Sequence, residues 1–176
     1  VAFDVAFAAL LRERFARVSP DRELLGAFLE TGRTVDKLRD VLLGCARAGH
    51  DARVRRRLDP EAVRFAAAAL REQLGTQSRR NIVQAALASE RRWVPAWLDQ
   101  IAHALDRCPV DAEPPRLVAM LDEVREPAMY LAKRGDRLPA EITSALRRAA
   151  SAITLDEAIA AELLPPLLAR MGDDKA

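Results

Sequence analysis

Arginine is the residue of this chain best equipped to act on another molecule, and it is clustered. Arg53, Arg55, Arg56 and Arg57 fall together, and the doublets Arg79–Arg80 and Arg91–Arg92 follow. Between Arg47 and Arg92, eleven arginines face five acids, a net of +6. Residues 1–46 sum to zero and residues 93–176 to −4, which reproduces the overall +2. A guanidinium is planar and permanently charged, and it forks onto phosphate oxygens. A concentrated basic stretch can therefore track a polyanion such as DNA, holding its backbone without reading its bases. The ordinary reading of a charge run is a solvated connection. Against it stand the recurrence of the doublets and the shortage of nearby carboxylates.

The other residue types with chemical potential are isolated. Trp93 and Trp97 lie one helical turn apart beside Arg91–Arg92, a neighbourhood in which an aromatic can stack an exposed base. Their spacing more simply places Trp97 in the core and Trp93 at its half-buried edge. His50 and His103 lack the carboxylate and nucleophile neighbours that general-base catalysis needs. Asp122, Glu123 and Glu126 form an acidic patch without metal-ligand spacing. Cys45 and Cys108 sit on apolar helical positions far apart, with no CxxC unit, and read as free thiols in a reducing cytoplasm. The seven glycines are scattered singly, so no phosphate-cradling loop is present. No catalytic residue and no metal site is expected.

The elements that must position these arginines are helical. Half the residues are apolar and 31% charged, which excludes a disordered chain. Ala and Leu dominate the apolar half and aromatics are only 5%, a composition that favours helix over strand. Apolar stripes at helical spacing recur. A helix over 2–18 places Phe3, Phe7, Leu10, Leu11, Phe15 and Val18 on one face. Ser19–Pro20, Thr34 and Asp59–Pro60 are helix starts, and Ser78 is read as the cap of a fifth helix. Gly32, Gly49 and Gly135 end helices. If the fourth and fifth helices form a hairpin, their ends bring the arginine groups together. Pro127 is expected to interrupt or kink a long helix after residue 116. Thr154 and Glu157 match a capping box for the last helix, which Pro165–Pro166 should break or bend near its end. Period-two alternation never persists for the length of a strand, and no run of about 18 apolar residues predicts a membrane span.

Opening on Val1-Ala2-Phe3-Asp4 within an amphipathic pattern, the chain is expected to be a piece of a larger protein. That pattern resembles a known family. Val5, Phe7, Leu10, Leu11, Arg12, Glu13, Arg14 and Phe15, a short helix ending at Gly32, and then Val35, Leu38, Val41 and Leu42 look like a stretch in UvrD/RecB-type superfamily 1 DNA helicases and helicase-nucleases. The likeness covers roughly the first 50 residues. It points to the helical insertion of the first motor domain (subdomain 1B), which runs through variable arginine-rich helices. The family's phosphate-binding lysine loop, acidic magnesium motif and arginine finger are absent from this chain. The resemblance thus implies a non-catalytic piece: ATP and magnesium would belong to the motor domains of the parent.

These readings predict an all-α, irregular bundle of about eight helices. A lobe over 1–108 with a basic centre and a lobe over 116–176 flank a proline-rich linker at 109–115, within one domain overall. The predicted function is contact with DNA phosphates inside a bacterial, cytoplasmic ATP-dependent helicase or helicase-nuclease acting in unwinding or repair. Its partners would be DNA and the rest of the parent protein, with no membrane. The alternative is a helical protein-interaction or regulatory module without nucleic-acid binding.

Overall fold

Four of the helix-start signals are honoured residue by residue in the computed structural model, which describes residues 2–16, 18–48, 56–134 and 138–173. Ser19 Oγ accepts from the Arg22 N–H at 3.3 Å and Thr34 Oγ1 from the Lys37 N–H at 3.1 Å. Asp59 Oδ1 accepts from the Glu61 and Ala62 N–H groups. At Thr154 the box closes in both directions: its hydroxyl accepts from the Glu157 N–H at 3.1 Å, and its own N–H donates to Glu157 Oε2 at 2.9 Å. Each such bond satisfies a donor that the helix itself leaves unpaired. Thr154→Ala is expected to cost about 1 kcal/mol, read as a lower urea midpoint.

Nine helices result, with no strand among the described residues: α1 (Ala2–Ala16), α2 (Pro20–Glu30), α3 (Val35–Arg47), α4 (Pro60–Gln73), α5 (Thr76–Ala88), α6 (Trp93–Arg107), α7 (Pro114–Arg134), α8 (Ala140–Ala150) and α9 (Leu155–Asp173). They form two compact units. One comprises residues 1–58 with 153–176, the other residues 59–152.

In the first unit, α9 packs against α1, α2 and α3. Leu155, Ala158, Ile159, Ala160, Leu163, Leu164 and Leu167 are all buried along it. A helix apolar on most of its faces belongs at the centre of its unit. Phe3, Phe7 and Leu10 of α1, Leu24, Leu25 and Phe28 of α2, and Leu38 and Leu42 of α3 complete that core. Phe15 and Val18 leave the expected stripe: Phe15 is exposed, and Val18, beyond the helix end, is 90% exposed. Gly32 takes φ +84°, and its N–H bonds Leu29 O at 3.0 Å, closing α2 as read. Gly49 and His50 lie outside the described residues, as does Gly135. On the surface, the Arg39 guanidinium hydrogen-bonded to Asp4 at 2.7 Å holds that carboxyl below its ordinary range.

In the second unit, α7 packs against α6, α8 and α4, while α4 also packs on α8. Val63, Ala66, Ala67 and Leu70 of α4 face inward, as do Val118, Leu121, Val124, Ala128 and Leu131 of α7. The units divide at Leu58/Asp59 and Ala152/Ile153, not at 109–115. Residues 109–113 join α6 to α7 inside one unit, and α7 already begins at Pro114, because proline at a helix start lacks only an N–H that would be orphaned there anyway.

At the prolines the helices are not interrupted. α7 runs through Pro127 and α9 through Pro165–Pro166. An interior proline costs about 3 kcal/mol, but here each is flanked by buried side chains: Val124, Ala128 and Leu131 in α7, and Leu163, Leu164 and Leu167 in α9. Burying a Leu or Val contributes about 1.5–3 kcal/mol, so several together outweigh the lost hydrogen bond.

Candidate nucleic-acid interface

Packing sorts the arginines into those consumed by the fold and those left facing outward. Arg71, counted within the basic block, is structural: its guanidinium donates to the carbonyls of Leu105 (3.0 Å) and Cys108 (2.6 Å), capping the C-terminus of α6. Arg125 likewise donates to Ala152 O, and Arg148 covers the Phe65 ring at 4.3 Å. Arg14 pairs with Asp21, Arg107 with Glu123 and Arg170 with Glu13. Of the central cluster, Arg53 and Arg55 lie outside the described residues. Arg56 approaches Glu157 at 3.8 Å, so it has a carboxylate that spacing along the chain did not reveal. Arg57 is exposed.

The two doublets behave differently. Arg79, Arg80, Arg91 and Arg92 all belong to the second unit, and none has a described carboxylate within 4.0 Å. Arg80 and Arg92 are exposed, Arg79 and Arg91 half-buried. They are not brought together by a hairpin of α4 and α5. α4 packs into the α7–α8 core, whereas α5 packs on α6. The reason is local: only Leu74 and Gly75 separate the helices, Leu74 as the C-cap of α4 and Gly75 as the N-cap of α5 with φ −59° and ψ 164°. Ser78 accordingly sits inside α5 and caps nothing.

The second doublet is set by the turn from α5 to α6. Glu90 adopts φ +58°, the left-handed region. The Arg91 N–H reaches back to Ala86 O (2.8 Å) and the Glu90 N–H to Leu87 O (3.1 Å), the paired bonds of a Schellman ending. Glycine normally occupies that position, and an L-residue there costs about 1–2 kcal/mol. Glu90→Gly is expected to stabilise the chain by roughly 1 kcal/mol, measured as a raised melting temperature.

Immediately after the turn, Trp93 and Trp97 pack on Tyr130 of α7, with ring centroids 5.2 and 5.0 Å apart. Arg134 lies over the same tyrosine ring, 5.0 Å from its centroid. Both tryptophans are half-buried, so Trp97 is not the core residue expected. Tyr130 escaped the sequence reading because nothing local ties it to a helix that ends more than 20 residues earlier.

Three recesses open around this region of the second unit. One, of about 330 Å³, is bounded by Asn81 and Ile82 of α5, Arg91, Trp93 and Val94 at the start of α6, and Ile142 of α8. A shallower groove of about 400 Å³ runs between α5 and α6, with Arg79 and Arg80 on one wall and Asp99 on the other. A third recess, about 480 Å³, holds Lys133 and Arg147, both exposed, and shares Leu138 with the first. Lys133 and Arg147 were missed because they lie in the half of the chain that is acidic on average.

No group of three or more His, Cys, Asp or Glu side chains that could hold a metal occurs among the described residues. No helix among them is long and apolar enough to cross a membrane. No protein-family model, curated protein or solved structure matches the chain.

Proposed function

We propose that this chain is a helical module that grips DNA through its phosphates, serving as a non-catalytic part of an ATP-dependent helicase or helicase-nuclease. The observation that carries the phosphate contact is that Arg79, Arg80, Arg91 and Arg92, two doublets of one unit, meet no described carboxylate, whereas Arg14, Arg107 and Arg170 are spent on carboxylates and Arg71 on carbonyls. An arginine without an internal partner is free to release counterions from a polyanion. The helicase assignment rests on the resemblance of the first 50 or so residues, and ATP would be handled by other domains of the parent.

Fluorescence anisotropy with duplex, forked and single-stranded DNA across a salt series tests the proposal. Affinity should fall steeply with salt. Absence of binding to every DNA at low salt would instead favour the protein-interaction reading, with the doublets as docking charges.

A further inference from the structure

The cavity of about 330 Å³ at the α5–α6 turn has the chemistry of a site for one unstacked nucleobase. Its volume lies at the lower end of the range for small-ligand sites, about 300–1,000 Å³, which suits a single planar ring system. Most of its wall is apolar, supplied by Ile82, Ala86, Val94, Leu131 and Ile142. Trp93 contributes an indole that packs edge to face with Tyr130, the ring planes at 88°. An aromatic surface fixed in this way can receive a base without first losing rotamer freedom.

The polar groups on the wall are few: the Ser78 hydroxyl, which can donate or accept, the Asn81 amide and the Arg91 guanidinium. Asn81 is exposed, and its Oδ1 already accepts from Gln77 Nε2 at 3.0 Å, so its amide protons are the part left to offer. Amide N–H groups suit the carbonyls on the edge of a thymine, cytosine or guanine. Arg91 adds a positive charge, and no carboxylate lines the cavity among the described residues. Leu138 is shared with the neighbouring recess, where Lys133 and Arg147 stand exposed. A backbone crossing Leu138 would therefore have a cation in each recess: Arg91 in one, Lys133 and Arg147 in the other.

We infer that this cavity accepts a nucleobase of a single strand whose flanking phosphates are held by Arg91–Arg92 and by Lys133 and Arg147. The inference rests on the phosphate-gripping proposal and deepens it: the preferred partner is single-stranded nucleic acid with its bases present, not a bare polyanion.

The test compares an oligothymidylate with an abasic oligomer of the same length, using the whole chain, anisotropy and the quenching of tryptophan emission. Stacking is worth about 1–3 kcal/mol per base, or roughly 5- to 150-fold in affinity, so the oligothymidylate should bind tighter by that factor and quench. Ala85→Phe, at an exposed position on the cavity wall, should abolish the preference and leave abasic binding and its salt slope unchanged. Asn81→Asp, equally exposed, should weaken the oligothymidylate more than the abasic strand. Equal binding of the two oligomers would overturn the inference and leave phosphate gripping standing. Full retention of the preference in Ala85→Phe would overturn it by placing the base elsewhere. Failure of both oligomers to bind at low salt would remove both readings. Saturable binding of naphthylacetate that no oligomer competes would assign the cavity to small organic acids instead.

Discussion

Changing Arg79, Arg80, Arg91 and Arg92 together to glutamine is expected to remove most of the salt-sensitive DNA affinity of this chain. Each phosphate neutralised contributes about 0.9 to the slope of log affinity against log salt on duplex and about 0.7 on a single strand. Without these four guanidinium groups the slope should flatten by up to about 3.6 and 2.8 respectively, and binding at 0.1 M salt should weaken by roughly a hundredfold or more. Glutamine keeps much of the length and polarity of the side chain, so the helices should survive. Circular dichroism verifies this. The matching quadruple change at Arg14, Arg71, Arg107 and Arg170 removes the same charge from groups already engaged by Asp21, the α6 carbonyls, Glu123 and Glu13. Its effect on the slope should be small, though Arg71 should lower stability. An equal loss in both variants would mean that only net charge matters, and the assignment to the doublets would fall.

The largest stability effect is expected at Phe28. Its side chain is 0% exposed, inside the unit organised around α9, and the Arg33 guanidinium lies 5.4 Å from its ring centroid. Phe28→Ala removes an aromatic ring from a site walled by helices, and such deletions cost about 3–5 kcal/mol. At this chain length each kcal/mol shifts the melting temperature by roughly 2–4 °C, so a fall on the order of 10 °C should be seen by calorimetry. Val18→Ala is the contrast. That valine is 90% exposed, and its replacement should stay within about 0.5 kcal/mol. A small loss at Phe28 would show that this core can collapse around the deleted ring.

Sequence and structure agree best where the determinant is local. The caps at Ser19, Thr34, Asp59 and Thr154 were legible because a short polar side chain and the N–H it satisfies lie within three residues of each other. The all-helical class was legible for the same reason, since apolar spacing and composition act over single turns. That α7 and α9 continue through Pro127 and Pro165–Pro166 was not legible, because the local penalty is set against the burial of leucines and valines around each proline, which depends on other helices. Glu90 gave no signal at all: nothing in its chemistry marks a left-handed residue, and α6 stacking its tryptophans on Tyr130 is a long-range event.

The basic character of residues 47–92 and the succession of capped helices follow from the amino-acid order alone. Which guanidinium groups are spent and which are spare was decided only by folding. Arg71 found the carbonyls at the end of α6, 34 and 37 positions away, and Arg56 found Glu157, while Arg91 and Trp93 were set on one cavity wall with Asn81. Charge is a property of each residue, but its availability depends on what the tertiary structure places within about 4 Å, and that distance is set by packing between helices remote in the chain.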